Sequence, residues 1–304
     1  MSAKKRILIT GASGMIAGKL AEQLLTAGFD VIAMSRSVVR DARFAASYQW
    51  QPEKNQFDPR ALEGVVAVVH LAGAGIADEK WTAQRKREIL ESRTQSTAFL
   101  AEQLRILPHT ISTVVAASAT GFYGDTADRL VTENDAAGTG FLAETCIAWE
   151  QSLQRLKTDT TRLVILRIGF VIDRKDGALP VMARPVRLFA GAPYGNGRQF
   201  ISWIDSHDLA KLFQYAITNP SLTGTYNAVA PYPVHNKDFI KALGKALHRP
   251  IWPIAVPSII FKMLLGEQSA LVLQGQHVSA EKTLATGFRF DFPALESSLQ
   301  HHLI

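Results

Sequence analysis

Three small residues near the start of the chain have the spacing of a phosphate-binding turn. Gly11, Gly14 and Ala17 follow the apolar run RILIT (6–10) and open a stretch in which apolar residues recur at helical spacing. Gly11 would permit a tight turn, Gly14 would let backbone N–H groups approach a pyrophosphate, and Ala17 would let the helix pack closely on the strand. The N-terminus of that helix would add positive potential. A plain strand-to-helix turn is the alternative. The predicted contacts to a dinucleotide are Gly11, Ser13, Gly14, Met15 and Ile16.

The residues after the second apolar run choose between the two nicotinamide dinucleotides. The run VIAMS (31–35) ends at Ser35 and is followed by Arg36. An Asp or Glu at this place would accept a hydrogen bond from a ribose 2′-hydroxyl, whereas the planar guanidinium fork suits a 2′-phosphate. The pattern therefore predicts NADP(H) rather than NAD(H), with Arg36 at the 2′-phosphate. The alternative for Arg36 is a solvated loop arginine.

Alternating strands and helices must position these residues. The predicted strands are short and almost entirely apolar, which is typical of a parallel sheet covered on both faces. We therefore expect an α/β fold of the Rossmann type, with a doubly wound parallel sheet. The predicted strands are 6–10, 31–35, 65–73, 112–118 and 162–169, and the predicted helices are 14–27, 82–106 and 140–156.

The composition of the chain changes after Gly169, where segments rich in glycine and aromatic residues, and later segments interrupted by prolines, begin. We predict an NADP(H)-binding Rossmann domain over residues 1–170 and a smaller C-terminal substrate lobe over most of 171–304. Part of 200–230 is expected to return to the Rossmann domain, because TGTYNAVAP reads as a short strand with turn signals.

The composition, with 304 residues that are 47% hydrophobic and 20% charged, is ordinary for a globular chain. The single cysteine, Cys146, excludes an internal disulfide and fits a reducing compartment. The N-terminal apolar run is too short for a signal peptide or a membrane span, so we predict a cytoplasmic protein without a membrane partner. The net charge of +6 is scattered, which predicts a small anionic ligand rather than nucleic acid. We expect no metal, and a monomer or homodimer.

Longer motifs resemble a known family. TGASGMIAG, VVHLAG and ASATGFYGD are similar to extended members of the short-chain dehydrogenase/reductase superfamily. HLAGAGIADEKWTAQRKREILESR, LRIGFVIDRKDGALPVM and GNGRQFISWIDSHDLA resemble, more narrowly, one atypical subfamily described as NAD(P)-dependent sugar epimerases. The resemblance covers nearly the whole chain. It implies a Rossmann domain that binds NADP(H) and a C-terminal substrate lobe.

The resemblance also places Ser35 beside Arg36 at the 2′-phosphate. It implies further cofactor contacts, of which Leu71 and Ala72 lie on the adenine–ribose side. Arg93 has a physical reason to be one of them, because a cation is favourable near a diphosphate. For Glu88 and Arg93 the alternative is a pair on the helix surface. The implied contacts are Leu71, Ala72, Gly73, Glu88, Arg93 and Arg167.

The same resemblance raises a question about catalysis. In the superfamily a tyrosine hydroxyl acts as acid or base, a lysine helps it to ionise, and a serine at the end of a strand orients the substrate oxygen. Ser118 fits the serine, but the alignment of AWEQSL puts Leu142 and Cys146 where the tyrosine and lysine would stand. Leucine cannot transfer a proton, and for Cys146 a buried structural role is expected rather than a reactive thiolate.

Tyr123, in GFYGD, is the leading substitute for the missing pair. It lies five residues after Ser118, in the loop above the sheet where active-site groups collect. Packing or pocket shaping is the alternative for Tyr123, and Asp125 is a second candidate acid or base. Ser118 and Tyr123 are therefore the predicted catalytic residues. For Glu144 and Glu150, on the next helix, exposure or capping is expected.

Two further groups of polar residues lie in the C-terminal half. Asp205, His207 and Asp208, in DSHD, could suggest a metal or acid–base site, but a helix N-cap followed by an acidic first turn is predicted. Arg198, in GNGRQF, is predicted to clamp an anionic group of the substrate, with a surface-loop arginine as the alternative.

Together these features predict an NADP(H)-dependent, epimerase-like oxidoreductase that acts on an unidentified small polar or sugar-like substrate. The hydride would pass between the nicotinamide and a carbon above the carboxyl edge of the sheet. The alternative, favoured by the missing tyrosine and lysine, is an NADP(H)-binding sensor or regulatory protein that has lost turnover.

Overall fold

The computed structural model describes residues 4–303. The outermost residues of the two predicted domains, 1–3 and 304, lie outside this range. The strands are β1 (Arg6–Thr10), β2 (Asp30–Ser35), β3 (Ala46–Gln49), β4 (Val65–His70), β5 (Thr113–Ala119), β6 (Leu130–Val131), β7 (Arg162–Ile168), β8 (Phe170–Ile172), β9 (Phe200–Ile201), β10 (Trp203–Asp205), β11 (Gly224–Ala228), β12 (Val234–His235) and β13 (His277–Val278). The helices are α1 (Met15–Thr26), α2 (Ala83–Ile106), α3 (Phe141–Leu153), α4 (Ala178–Arg187), α5 (Ser206–Thr218), α6 (Asn236–Ala246), α7 (Ser258–Leu265), α8 (Ala270–Leu273), α9 (Glu281–Ala285) and α10 (Leu295–Leu303). Within the described range, no helix is both long and apolar enough to cross a membrane.

Seven strands form one parallel sheet in the order β11-β7-β5-β4-β1-β2-β3. From β1 the chain adds β2 and β3 on one side, and then crosses over to add β4, β5 and β7 on the other. The carboxyl ends of β1 and β4 therefore border the crevice in which doubly wound folds bind their ligands. The predicted Rossmann-type α/β fold is confirmed.

The sheet is covered on both faces, as its apolar strands predicted. Ile7, Leu8 and Ile9 on β1 have no exposed surface, and neither do Val68 and Val69 on β4. Helix α1 packs against α5, and α2 packs against α3. Such burial is the main source of stability in a parallel sheet, at about 25 cal/mol for each Å² of apolar surface removed from water.

Most predicted elements begin and end within one residue of the observed ones, and the larger differences are in β4, α3 and β3. β4 ends at His70 rather than at residue 73, and the segment beyond it runs past Gly11. Helix α3 ends at Leu153, because the last three predicted residues, Gln154–Leu156, tighten into a 3₁₀ turn. β3 was not predicted, since its four half-buried residues at the sheet edge do not form an apolar run.

The C-terminal lobe has an apolar core of its own. Trp203, Phe239 and Leu243 have no exposed surface and pack with buried residues of α4 and α10. Two short strand pairs, β8 with β10 and β9 with β12, lie beside this core. Between β10 and β12 the chain returns to the seven-stranded sheet, where β11 pairs with β7 and α5 packs on α1. These two elements are the part of 200–230 that lies against the sheet.

Candidate cofactor and active site

The turn after β1 has the geometry that an anion site needs. Gly11 has φ +67°, and a side chain there would place its Cβ 2.8 Å from the carbonyl carbon and oxygen of Leu71. Gly14 is the N-cap residue of α1 and provides no side-chain cap, and the first turn of α1 holds no acidic residue. The first N–H groups of the helix therefore remain available to a phosphate. Ala17 is fully buried, which agrees with the close packing of helix on strand.

A buried histidine supports this turn from below. Thr97 Oγ1 donates to the carbonyl of Arg93 at 2.7 Å, so it accepts from His70 Nε2, which lies 3.1 Å away. The other ring nitrogen, Nδ1, lies 2.8 Å from Thr10 Oγ1, which also accepts from the N–H of Leu71 at 3.2 Å. The Thr97 hydroxyl has already given its only proton to the carbonyl of Arg93, so Nε2 must donate to it. The Thr10 hydroxyl can then donate to Nδ1, and the imidazole is neutral with its proton on Nε2. Burial agrees with this, because it lowers the pKa of His70 to about 4.

The two residues predicted to hold the 2′-phosphate lie at the end of β2 and just after it. Ser35 is buried and donates its hydroxyl to the carbonyl of Ser37. Arg36 is exposed, and its backbone carbonyl accepts from Gln49 Nε2 at 2.7 Å. The nearby carboxylate of Asp41 pairs with Arg43, so within residues 4–303 Arg36 has no carboxylate partner. Its guanidinium is thus available to an anion.

Arg93 lies beside the turn that follows β4. A side chain on Gly73 would place its Cβ 3.3 Å from Cγ and Cζ of Arg93. The guanidinium donates to the carbonyl of Ile89 at 2.9 Å and lies 5.0 Å from the centre of the Trp149 ring. Burial lowers the pKa of Arg93. In the described part of the chain no carboxylate pairs with it, which leaves a desolvated cation at the edge of the crevice.

Glu88 does not form the surface pair with Arg93 that was the alternative for both residues. Its carboxylate instead accepts from Arg85 Nη1 at 3.2 Å and from Gln84 Nε2 at 3.1 Å. The Glu88 side chain is 46% exposed, so this pair contributes little stability.

A buried hydrogen-bond network connects Ser118 with Tyr123. Ser118 Oγ donates to Glu150 Oε1 at 2.6 Å. Arg167 holds the same carboxylate through Nε and Nη2, each at 2.8 Å. Its Nη1 donates to Tyr123 Oη at 2.9 Å, and this hydroxyl donates to Asn227 Oδ1 at 2.7 Å. All five side chains are buried.

Burial and charge fix the protonation of this network. Burial alone would lower the pKa of Arg167, but the hydrogen bonds and charge of Glu150 outweigh it and raise that pKa. Burial raises the pKa of Tyr123, and the neighbouring Arg167 offsets only part of the rise. Tyr123 is therefore a neutral phenol at neutral pH, and Arg167 a cation. The expectation that Glu150 is exposed or caps a helix is wrong, because it is the counter-ion of a buried arginine. Glu144 is exposed in the first turn of α3, as expected.

Leu142 and Cys146, which the motif comparison put where a tyrosine and a lysine would stand, lie on the α3 face that contacts the end of β5. A side chain on Gly121 would place its Cβ 3.4 Å from Leu142 Cβ and 3.8 Å from Cys146 Sγ. One turn further along the same face stands Glu150, which holds Ser118. Cys146 is 5% exposed, and burial together with the charge of Glu150 raises its pKa to about 11. Cys146 is therefore buried, as expected, and its low reactivity stays a prediction.

The DSHD segment is a helix cap, as predicted. Asp205 accepts from the N–H of His207 at 2.8 Å at the start of α5. Asp208 accepts from two backbone N–H groups, those of Asp291 and Phe292. Arg198 is exposed and lies 3.7 Å from a carboxylate oxygen of Asp128. Across residues 4–303, no three His, Cys, Asp or Glu side chains gather as metal ligands would.

Several partners of the predicted residues were not themselves predicted. Neither His70 beneath the turn nor Asn227 beside Tyr123 was singled out, and Glu150 was assigned to solvent. One signal was present for Glu150, since Leu142, Cys146 and Glu150 recur every fourth residue and so share a helix face. For Asn227 there was no local signal, because 104 residues separate it from Tyr123.

Comparison with known proteins agrees with this geometry. Residues 7–229 match the model of the NAD dependent epimerase/dehydratase family, and residues 256–302 match a domain of unknown function, DUF1731. An epimerase family protein of Mycobacterium bovis is 36% identical over 294 residues, which cover 96% of each chain. The chloroplastic SDR39U1 homolog of Arabidopsis thaliana, an epimerase family protein, is 32% identical over 97% of this chain and 85% of the relative.

Solved structures give the same result. The crystal structure of human epimerase family protein SDR39U1 with NADPH matches at TM-score 0.89 and 31% identity, over 98% of this chain and 99% of that one. A Thermus thermophilus UDP-glucose 4-epimerase complexed with NAD shares the fold at TM-score 0.75 and 18% identity, over 98% of both chains. The resemblance found in the motifs is confirmed. The chain belongs to the NAD-dependent epimerase/dehydratase family.

Proposed function

We propose that the protein is an NADP(H)-dependent, epimerase-like oxidoreductase that acts on a small polar or sugar-like substrate. The observation that carries the proposal is the crevice between β1 and β4. There the uncapped N-terminus of α1 and the glycine turn at Gly11 lie near Arg93, which has no carboxylate partner within residues 4–303. When bound, NADP(H) supplies or accepts the hydride. The human relative that was crystallised with NADPH supports this choice of cofactor.

The chain's own residues fit such a cofactor. The first N–H groups of α1, beyond Ser13 and Gly14, would hold the diphosphate, and Met15 and Ile16 begin that helix. The cradle at Gly11 is one that a Cβ would fill. Arg36, with Ser35 before it, would hold the 2′-phosphate. Leu71, Ala72 and Gly73 would border the cofactor, with Arg93 as the cation beside it and Glu88 at the outer end.

Arg167 has a different place in the proposal. All three nitrogens of its guanidinium bind Glu150 or Tyr123, so we assign it to the positioning of these two side chains. Its direct contact with the cofactor stays a prediction. The catalytic roles of Ser118 and Tyr123 also stay predictions. Because Ser118 donates its hydroxyl proton to Glu150, the Ser118 oxygen can accept a hydrogen bond from a substrate. The Tyr123 hydroxyl is buried and donates to Asn227.

The choice of NADP(H) is tested by calorimetric titration of NADPH and of NADH into the wild type and the Arg36→Asp variant. We expect the variant to bind NADPH about 10- to 100-fold more weakly, since hydrogen bonds to a charged group contribute about 1.5–3 kcal/mol. The affinity for NADH should change little. Arg40→Asp is the matched control, because Arg40 is also exposed and lies four residues further along. Unchanged NADPH affinity in Arg36→Asp would contradict the proposal.

A second candidate function is an NADP(H)-binding sensor without turnover. Leu142 and the protonated Cys146, in the places of a proton-transferring pair, favour it. To distinguish the two functions, the rate of NADPH oxidation is measured in the presence of carbonyl compounds and of nucleotide sugars. Tight NADPH binding without any turnover would support the sensor, and turnover that Ser118→Ala abolishes would support the enzyme.

The surroundings of the protein also remain predictions. We propose a cytoplasmic monomer or homodimer whose partners are the cofactor and a small-molecule substrate, to which Arg198 would contribute a cation. We propose no nucleic-acid, membrane or metal partner. Size-exclusion chromatography with light scattering would distinguish the monomer from the dimer.

A further inference from the structure

An apolar and aromatic wall is formed by the start of α3 and Trp81, beside the turn that follows Ser118. Leu142 and Cys146 contact Gly121, which follows the end of β5. Phe141, which begins α3 beside Leu142, packs edge to face with Trp81 at 4.8 Å between ring centres. Both rings are half-buried, and Trp81 is fixed by a 2.8 Å hydrogen bond from Nε1 to the carbonyl of Ile76. Such a wall suits a flat, unsaturated molecule better than a hydroxyl-rich sugar.

The groups near this wall that could transfer a proton are buried or already bound to another side chain. Lys86 Nζ lies 5.6 Å from the centre of the Phe141 ring and is paired with the carboxylate of Glu267. Ser118 donates to Glu150, and that carboxylate is also held twice by Arg167. Tyr123 is 1% exposed and donates to Asn227. The Cys146 thiol is buried and keeps its proton, because its pKa is raised to about 11.

One hydroxyl near the end of β5 is not part of this network. Thr120 is buried and begins the 3₁₀ turn that follows β5. An alcohol can hydrogen-bond to a substrate, but it does not release a proton near neutral pH without a base beside it. The residues that touch this end of β5 can therefore orient a substrate without exchanging a proton with it.

This arrangement restricts the chemistry that the proposed function can perform. Reduction of an isolated ketone puts negative charge on the oxygen of the reacting carbon, and the resulting alkoxide needs a proton as it forms. Oxidation of a sugar carbinol, the first step of an epimerase of this kind, needs a base to remove one. In a conjugated carbonyl compound the charge spreads over several atoms, and the resulting anion is a much weaker base.

We propose that the substrate is a planar conjugated carbonyl compound, an enone or a quinone, which is reduced with a proton from water rather than from the protein. The inference rests on the proposed function and narrows its substrate. In an enone, the β-carbon gains the hydride that NADPH supplies, the C=C π pair forms a new π bond to the carbonyl carbon, and the C=O π pair moves to the oxygen. Water then protonates the α-carbon of the enolate and restores the C=O bond. In a quinone, one hydride from NADPH and one proton from water give the hydroquinone. NADPH is oxidised to NADP⁺, and one proton is consumed for each C=C bond reduced. Trp81 and Phe141 hold the flat face of the substrate.

The reaction is tested with the full chain, NADPH, 2-methyl cyclic enones and 1,4-benzoquinones, beside the saturated ketones and nucleotide sugars. We expect kcat/KM to be at least 100-fold higher for the conjugated compounds. In D₂O, the deuterium at the α-carbon of the enone product should enter from both faces equally, because no fixed group delivers it. A single stereoisomer at that carbon, or equal turnover of saturated ketones, would overturn the inference.

Binding gives a second readout that does not depend on turnover. A planar aromatic aldehyde, 4-hydroxybenzaldehyde, is titrated into the protein saturated with NADP⁺. Trp81→Ala should weaken its binding at least 10-fold and leave NADP⁺ affinity unchanged. Trp252→Ala is the matched control, since Trp252 is 60% exposed and packs in the lobe, where it donates to the carbonyl of Phe189. Equal aldehyde affinity in both variants would overturn the inference.

Restoring the proton relay gives a third test. Leu142→Tyr with Cys146→Lys should add reduction of saturated ketones, and Leu142→Tyr alone serves if the buried lysine prevents folding. Either variant that folds, binds NADPH and gains no ketone reduction counts against the inference. NADPH binding without reduction of any conjugated compound would overturn it and leave the cofactor site standing. A failure to bind NADPH would overturn the proposed function itself.

Discussion

The buried imidazole of His70 should make the stability of the protein depend on pH in a defined window. In the folded state its pKa is lowered from 6.5 to about 4, because burial penalises the charged ring. The hydrogen-bond directions agree, since a second ring proton on Nδ1 would face the hydroxyl proton of Thr10. In the unfolded chain the same ring has its ordinary pKa.

The sign of the effect follows from proton binding. Above pH 6.5 His70 is neutral in both states, and its buried environment costs nothing. Between pH 6.5 and about pH 4, His70 is protonated in the unfolded chain but not in the folded protein. The free energy of unfolding therefore falls as the pH drops, and the loss is complete below about pH 4. At about 1.4 kcal/mol for each pH unit, the loss from this residue reaches about 2–3 kcal/mol at pH 4.5. Total stabilities of folded domains are only about 5–15 kcal/mol.

Urea unfolding at intervals from pH 7.5 to pH 4.5, for the wild type and His70→Gln, measures this contribution. The glutamine keeps donor and acceptor groups but cannot titrate, so the difference in free energy of unfolding between the two proteins should shrink by about 2–3 kcal/mol toward pH 4.5. His301→Gln, on the exposed side of α10, should follow the wild-type profile. Parallel profiles for wild type and His70→Gln would refute the reasoning, as would an NMR titration in which His70 protonates near pH 6.5.

Three further predictions concern the turn and the network. Glu150→Gln should lower the free energy of unfolding by about 3–5 kcal/mol in urea titrations, because it leaves Arg167 charged and buried, and a loss below 1 kcal/mol would contradict this. Gly11→Ala should weaken NADPH binding at least 10-fold in a fluorescence titration, since its Cβ would meet the backbone at 2.8 Å. Gly28→Ala, also at positive φ but with open space around it, should leave that affinity unchanged, and an equal effect in both variants would refute a local cause. Cys146 should resist alkylation at pH 8 until the protein unfolds, as mass spectrometry would detect, because burial raises its pKa to about 11.

The fold and the first part of the site followed from local patterns. The strands of a parallel sheet are continuous apolar runs, and Gly11 stands where no side chain fits, so both left a signature within a few residues. The edge strand β3 left none, because ASYQ is only half-buried. The prediction of NADP(H) likewise depended on a single residue after a strand, Arg36.

The buried network could not be predicted because its members are far apart in the sequence. Ser118 and Glu150 are 32 residues apart, and Tyr123 and Asn227 are 104 apart. A single acidic residue on a helix is usually solvated, and nothing near Glu150 in the sequence shows that Arg167 will face it. Long-range pairs of this kind become visible only once the order of the strands is known.

The position of β11 at the edge of the sheet has a consequence for biosynthesis. This strand pairs with β7, yet the chain builds much of the lobe, including α4, β9 and β10, before reaching it. A nascent chain therefore leaves the ribosome with β7 as an open edge until Ala228 has emerged. The parallel sheet therefore cannot be completed during translation until α4, β9 and β10 have also been made.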